Sequence, residues 1–189
     1  MAAKRRQQQK LETRERLLAA ARAVLTREGL AGTTSRKIAD EAGVAIGTLF
    51  VHFERVEQLV AALLDQHLAS AIPRALRSAG RKTGLIAQLT QAARALFESY
   101  DAEPDLARSW LAASLFGPSE EPHLQQFAAW VGERLSAAID AGEVEPIDPQ
   151  LAFQVYFSLY FTALVAGLRG ALTRAQQARF IEAALVRFF

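Results

Sequence analysis

Apolar residues recur every three or four positions along most of the chain, which is the spacing of one face of an α-helix. Two such stripes consist of Leu17, Leu18, Ala21, Val24 and Leu25, and of Leu59, Val60, Leu63, Leu64 and Leu68. No run alternates polar and apolar residues as a half-buried strand does, and glycine and proline are sparse. The pattern therefore predicts an all-α protein.

Glycines and threonines divide the first sixty residues into four predicted helices. Gly29 is placed to end the first helix, and either Thr33 or Thr34 offers a hydroxyl cap to the second. Gly43 stops the second helix, and a very short third helix is predicted from about residue 45 to 52. A fourth helix is predicted to start soon afterwards.

Turn signals beyond residue 70 divide the remainder of the chain into about five further helices. They are Pro73, Gly80 with Gly84, Pro104 and the segments at 116–122, 141–149 and 169–173. We expect a small three-helix head with a basic N-terminal arm in residues 1–56, and a larger helical bundle in residues 57–189. The division falls within the fourth helix.

The second and third predicted helices have the spacing of a helix-turn-helix. Ala39 is followed four residues later by Gly43 and six residues after that by Leu49. The small side chain lets two helices cross closely, glycine takes the turn, and the apolar residue pins the following helix onto the preceding one.

The outward positions of these two helices are candidates for nucleic-acid contact. They are Thr34, Arg36 and Lys37 at the start of one helix, and Ile46, Thr48 and His52 on the free side of the next. Hydroxyl and basic side chains at a helix N-terminus suit phosphate oxygens, and a short helix with small side chains fits a major groove. The alternative is that the threonines only cap and the charges only solvate.

The charge of the chain is unevenly distributed. Residues 1–60 hold 11 Lys and Arg against 7 Asp and Glu, a balance of +4, whereas residues 61–189 hold 11 against 13, a balance of −2. The first third is therefore the candidate for an anionic partner such as DNA.

The composition argues against an enzyme, a metalloprotein and a secreted protein. The chain has no cysteine, its three histidines are scattered, and it has neither a nucleophile elbow nor a phosphate-binding glycine loop. The N-terminus lacks the apolar core of a secretory signal. We therefore expect a cytoplasmic protein without a cofactor, a metal or catalytic residues.

The segment TTSRKIADEAGVAIGTLFVHFERVEQLVAAL, at residues 33–63, resembles the DNA-binding region of the tetracycline-repressor-like (TetR) transcriptional regulators. The resemblance covers about residues 11–64, which include the preceding amphipathic helix. It implies a two-domain, all-α homodimer. Its N-terminal domain would read double-stranded operator DNA, and its C-terminal domain would bind a small apolar or amphipathic effector that releases the DNA.

Carried over position by position, together with the basic arm, the resemblance gives a set of expected DNA-binding residues. They are Lys4, Arg5, Arg6, Thr34, Ser35, Arg36, Ala45, Ile46, Gly47, Thr48, Phe50, His52 and Arg55. Thr34 and Arg36 would contact phosphate, and the third helix would face bases or sugar-phosphate.

Three positions depart from the family's usual pattern. Ala45 lacks the hydroxyl that usually caps the third helix, Phe50 lacks the hydroxyl of the usual tyrosine, and Val56 stands where lysine is common. Arg55, one residue earlier, is a possible substitute for that lysine. Each loss removes about one phosphate contact, so we expect affinity to depend more on the arm, whose alternative interpretation is a disordered solubilising tail.

The most apolar predicted helix, at about 148–168, lacks a polar face. A small bundle can hardly cover it alone, and the resemblance implies that the last two helices form a dimer interface. The expected interface is Phe157, Phe161, Leu164, Leu168, Ile181, Leu185 and Phe188. A membrane span is the alternative, against which Gln154, Ser158 and Thr162 argue.

Aromatic residues gather between residues 97 and 160, and most of them are expected to be plain core. From the resemblance, the candidates for an effector pocket are Phe97, Tyr100, Trp110, Phe116, Trp130, Tyr156 and Tyr160. Two alternatives stay open. One is a DNA-binding protein of this fold that lacks a pocket and is controlled by a protein partner. The other is an enzyme or membrane protein that merely contains this head.

Overall fold

The computed structural model describes residues 2–114 and 122–189, and in these residues it contains α-helices and no strand. In chain order the helices are α1 (Ala2–Gly32), α2 (Ser35–Ala42), α3 (Ile46–His52), α4 (Val56–Ala79), α5 (Leu85–Ser99), α6 (Pro104–Ser114), α7 (Pro122–Asp140), α8 (Pro149–Leu168) and α9 (Arg174–Phe188). The predicted all-α class, with a helix-turn-helix near the N-terminus, is therefore confirmed.

The first helix differs from the prediction at both of its ends. The basic segment at residues 4–10, which was expected to be an arm, continues α1 as a helix and is exposed. At the other end, helical geometry breaks at Gly29, as predicted, where φ is 69°. One further turn, through Gly32, follows that break.

The two threonines after α1 have different tasks. Thr33 is buried, and its hydroxyl donates to the Gly29 carbonyl oxygen at 2.7 Å. Thr34 is the N-cap of α2, and its hydroxyl oxygen accepts from the Lys37 backbone N–H at 3.3 Å. The structure thereby assigns the cap to the second of the two candidates.

The chain divides into two compact units. The first contains α1, α2, α3, the start of α4 up to Gln66, and α6; the second contains residues 67–102 with α7, α8 and α9. In the first unit α6 packs on α1 through buried Leu106 and Trp110, and Arg22 forms an ion pair with Glu103. The boundary between these units differs from the predicted one between residues 56 and 57. The first unit extends to Gln66 and also includes α6, which packs on α1. The functional division between 1–56 and 57–189 stays a prediction.

The core of the second unit is built from aromatic rings. Phe97 of α5 stacks on Tyr160 of α8 with 5.1 Å between ring centroids. The ring centroids of Phe127 in α7 and Tyr156 in α8 lie 5.7 Å apart. The Tyr156 hydroxyl donates to the Leu89 carbonyl oxygen at 2.8 Å. Burial raises the pKa of Tyr156, so this hydroxyl stays protonated and acts as a donor inside the core.

A buried amide joins α8 to α9. Gln177 is fully buried; its Nε2 donates to the Ala163 carbonyl oxygen at 2.7 Å, and its Oε1 accepts from Arg174 at 2.8 Å. Gly167 leaves the space that this amide fills, because a Cβ at that position would lie 2.1 Å from Nε2. A polar side chain can occupy the core here because both ends of its amide are hydrogen-bonded.

Four of the residues expected at a dimer interface are instead core residues of the protomer. Leu164 and Leu168 are each 5% exposed, and Ile181 and Leu185 are fully buried. They pack within the second unit, so they offer no surface to another subunit, and their assignment is corrected. The other three, Phe157, Phe161 and Phe188, are half-buried.

The opposite side of α8 is the one that faces outward. Its exposed or half-buried residues are Leu151, Val155, Ser158, Leu159, Thr162 and Ala166, which we call the outward side of α8. Among the described residues, α8 is also the one helix whose length and composition would allow it to cross a membrane, with a mean hydropathy of 1.6 and 33% of that stretch buried.

The contact between Gly167 and Gln177 gives a first testable prediction. Gly167→Ala forces the buried amide to move, which overpacks the α8–α9 contact and breaks the hydrogen bond to Ala163. We expect a loss of about 1–3 kcal/mol in the free energy of unfolding, measured by urea denaturation.

Gly132→Ala is the matched control, because Gly132 also lies inside a helix and a Cβ there meets nothing within 4 Å. That variant should gain about 0.5–1 kcal/mol from helix propensity. Equal stability of the two variants would contradict the proposed packing.

Candidate nucleic-acid interface

The turn between α2 and α3 has the geometry that the spacing of Ala39, Gly43 and Leu49 predicts. Gly43 adopts φ 63° and ψ 41°, in the left-handed region that glycine enters without a Cβ penalty. Behind it, the Val44 N–H donates to the Ala39 carbonyl oxygen at 3.0 Å, which closes the end of α2. Ala39 and Leu49 are buried. The turn therefore fixes the direction in which α3 leaves α2.

Arg16 of α1 reinforces this turn through a contact that the sequence analysis did not predict. Its Nη2 donates to the Ala42 carbonyl oxygen at 2.6 Å and to that of Gly43 at 3.4 Å. A guanidinium at a helix C-terminus satisfies carbonyls that have no partner within the helix and opposes the negative end of the helix dipole. The contact spans 26 positions of sequence, so local spacing could not reveal it.

The two basic residues in the first turn of α2 differ in what they contact. Lys37 pairs with Glu28 and donates to the Gly32 carbonyl oxygen at 2.9 Å. Its hydrogen bond is the main cause that lowers the pKa of Glu28. Arg36 is exposed, and within residues 2–114 and 122–189 it has no hydrogen-bond or ion-pair partner. Only Arg36 of the two therefore has its charge available to an external anion.

The exposed surface of α3 has three lines of side chains, each formed by residues four positions apart. The outermost line is Gly47 and Val51, the first flank is Ile46 and Phe50, and the second flank is Thr48 and His52. Leu49 and Phe53 face the core. Ala45, the N-cap residue, makes no side-chain cap, as its missing hydroxyl predicted. Of the large apolar side chains of this helix, Val51 is the most exposed, at 74%, and it was not among the residues expected from the sequence to bind DNA.

A positive field surrounds the end of α3. Partial burial, and then the positive charges of Lys10 and Arg14, lower the pKa of His52. Arg14 also lies over the Phe53 ring, 5.0 Å from its centroid. The basic side chains of α1 therefore lie beside the last turn of α3, where they attract anions to the same surface.

The expected DNA-binding residues all lie at the surface of the first unit. Lys4, Arg5, Arg6, Thr34, Arg36, Ala45, Ile46, Gly47, Phe50 and Arg55 are exposed, and Ser35, Thr48 and His52 are half-buried. Their contact with DNA stays a prediction. In the part of the chain that the structure describes, no three His, Cys, Asp or Glu side chains come together as metal ligands.

The structure does not gather all of the expected pocket residues into one unit. Phe97, Tyr100, Tyr156 and Tyr160 are buried in the second unit, and Trp130 is half-buried there. Trp110 belongs to α6 of the first unit, where Arg22 lies 6.0 Å from its ring centroid. Phe116 lies outside the described residues.

Residues 17–63 match the family described as bacterial regulatory proteins, tetR family. The chain is also similar to an uncharacterized HTH-type transcriptional regulator, YvkB, of Bacillus subtilis strain 168, to which it is 42% identical over 55 residues. That match spans 29% of this chain and 29% of the relative's own length.

Solved structures share the fold over most of the chain. A TetR-family transcriptional regulator from Pectobacterium atrosepticum has a TM-score of 0.74 at 23% identity, covering 94% of this chain and 93% of that one. The transcriptional regulator FadR from Bacillus subtilis, in complex with stearoyl-CoA, has a TM-score of 0.71 at 20% identity, covering 89% and 95%. Residues 17–63 thus match the tetR family of bacterial regulatory proteins, and most of the chain shares the fold of these solved structures.

Proposed function

We propose that this protein is a sequence-specific DNA-binding repressor that a small apolar or aromatic effector releases from its operator. The observation that carries the proposal is the surface formed by α2 and α3. There a capped helix start with an unpaired arginine lies next to a short helix whose outward side chains are not needed by the core.

The start of α2 supports phosphate contact. Helix N-termini present free N–H groups and a positive dipole end, and Thr34 and Arg36 add a hydroxyl and a guanidinium. Arg36 gives up no internal partner when it binds a phosphate, since it has none among the described residues. The outward surface of α3 would then lie in the major groove, as in other helix-turn-helix proteins.

This assignment predicts the effect of Arg36→Ala on DNA binding. Losing one phosphate contact should weaken binding to specific and nonspecific duplexes alike. It should also make the slope of log affinity against log salt concentration shallower by about 0.9. Fluorescence anisotropy over a salt series, with a duplex from the region upstream of the gene, measures both quantities.

Arg81→Ala provides the control for the loss of one positive charge. Arg81 is exposed in the second unit, away from α2 and α3 in sequence. It should leave both the affinity and the salt slope unchanged. If Arg36→Ala behaves like this control, α2 does not contact phosphate.

The outward side of α8 supports a homodimer. Helix α8 contains no charged residue, yet only about a third of it is buried within the protomer. An uncharged apolar helix left this open requires another cover, and a second copy of the chain supplies one through a two-fold interface. Two heads related by that axis would read a pseudo-palindromic operator.

Thr162→Arg tests this interface, because Thr162 is exposed on the outward side of α8. A two-fold contact would bring two unpaired guanidinium groups into one apolar surface, so the variant should sediment as a monomer and bind the operator more weakly. Gln125→Arg, at an exposed position of α7, should remain dimeric. A native protein that sediments as a monomer at micromolar concentration would rule out dimeric operator recognition.

Effector binding is proposed for the second unit. FadR, which shares the fold, was crystallised with stearoyl-CoA, a ligand with a long apolar chain. The aromatic side chains of α5, α7 and α8 give this unit an apolar interior suited to such a ligand or to an aromatic one. The competing function is control by a protein partner. The close stacking of these rings favours this alternative, because a core that its own side chains fill leaves no room for an effector.

Helix α4 is the proposed route from effector to DNA. It runs without a break from Val56 to Ala79, and it contributes to both units. An effector that shifts α4 would change the separation of the two heads, and half-sites in successive major grooves lie about 34 Å apart. Linkage then requires that operator and effector weaken each other's binding by the same factor, typically ~5–150-fold.

Tryptophan emission can locate the effector, because Trp110 and Trp130 belong to different units. We expect a ligand from a panel that starts with stearoyl-CoA to change the emission of Trp130. The change should persist in Trp110→Phe and disappear in Trp130→Phe, and the same ligand should release the operator. A ligand panel that changes neither the emission nor the operator affinity would favour control by a protein partner.

A further inference from the structure

Three large apolar side chains stand on the exposed surface of α3. The exposed fractions are 44% for Ile46, 47% for Phe50 and 74% for Val51. The fold does not require them to be apolar, because the core-facing side of the helix is already formed by Leu49 and Phe53. Adjacent exposed apolar residues on a seven-residue helix indicate a surface that becomes covered in a complex.

The surrounding charges favour DNA over an apolar protein surface as the cover. Helix α3 has no acidic residue, and Arg14 lies beside its end, 5.0 Å from the centroid of the Phe53 ring. The charges of Lys10 and Arg14 add to partial burial in lowering the pKa of His52. Arg36 adds an unpaired guanidinium at the start of the preceding helix. An apolar strip bordered by cations matches a major groove, in which base edges lie between two rows of phosphates.

Gly47 bears on how closely α3 can approach the bases. A Cβ at this position would meet nothing within 4 Å, so no packing within the described residues requires glycine here. Glycine inside a helix also destabilises it relative to alanine. Gly47 lies one helical turn before Val51 on the outermost line. A glycine at this place allows the helix backbone to approach another molecule closely.

The chemistry of the side chains determines what they can read. Valine, isoleucine and phenylalanine have no hydrogen-bonding group, and the one apolar feature at the edges of the four bases in the major groove is the C5-methyl group of thymine. Thr48 and His52, on the second flank, keep the ability to read polar edges. The flank of Ile46 and Phe50 therefore suits thymine methyl groups, and the flank of Thr48 and His52 suits the polar edges of bases.

We propose that Val51, with Ile46 and Phe50 beside it, reads thymine methyl groups in the operator, and that Val51 is the main specificity-determining residue. This inference rests on the proposed function, since it presupposes that α3 enters the major groove. We therefore expect A·T pairs at the operator positions that face Val51, Ile46 and Phe50.

The experiment starts from a duplex that the protein itself selects from a randomised pool. Each thymine of that duplex is then replaced by deoxyuridine, which removes the methyl group and leaves base pairing intact. At thymines in contact with α3, affinity should fall about fourfold per methyl group. That factor corresponds to about 0.8 kcal/mol for one buried carbon group.

Val51→Ala connects the effect to one side chain. This variant should bind the selected duplex more weakly and should no longer distinguish thymine from deoxyuridine at the position that Val51 reads. Because Val51 is mostly exposed, thermal unfolding should show an intact head. Arg36→Ala is the matched control, since it should also bind more weakly yet keep the full deoxyuridine effect.

The outcomes separate this inference from the proposed function. If the protein selects a sequence but no deoxyuridine substitution lowers affinity, methyl reading is overturned and specific DNA binding stands. If the deoxyuridine effect survives intact in Val51→Ala, Val51 is not the reader. If no sequence is enriched over random DNA, the proposed function fails and the inference fails with it.

Discussion

The closure of the turn between α2 and α3 is the constraint on which the exposed surface of α3 depends. Gly43 reverses the chain in a left-handed conformation, and Arg16 holds the carbonyl oxygens at the end of α2 from the neighbouring helix. With Ala39 and Leu49 buried against each other's helices, α3 has one orientation relative to α2. Helix α3 is short and has no side-chain cap of its own. It can still present a defined surface, because the turn and the packing against α2 determine its position.

Internal pairing decides which cations of the first unit are available to DNA. Lys37 is held by Glu28, Arg27 by Glu28 and Glu41, and Arg16 by backbone carbonyls. These contacts join the end of α1 to α2 and hold the two helices in one relative position. The exposed pairs add little stability individually, so their effect lies in geometry and in leaving Arg36, at the start of α2, without a partner among the described residues.

The second unit separates its packed interior from an open, uncharged surface on one helix. Helix α8 buries Tyr156, Tyr160 and Leu164 on one side and is joined to α9 by the amide of Gln177 fitted against Gly167. Its outward side has no charged residue and is only partly covered by the described residues of the protomer. Proposed dimerisation thus uses the surface that remains after the core is complete, which explains why the most apolar residues of this helix are poor guides to an interface.

The sequence by itself determined the all-α class, the helix-turn-helix and the cap at Gly43, and it limited the N-cap of α2 to Thr33 or Thr34, because those features depend on residues within a few positions of one another. Only the tertiary structure decided which of Arg36 and Lys37 is paired, which side of α8 faces outward, that Trp110 lies in the first unit, and that Val51 is the most exposed of the large apolar side chains of α3. Each of these depends on contacts between helices that are distant in sequence. A periodic pattern shows that a helix has a buried side, but for a helix that is apolar all round it cannot show which side that is.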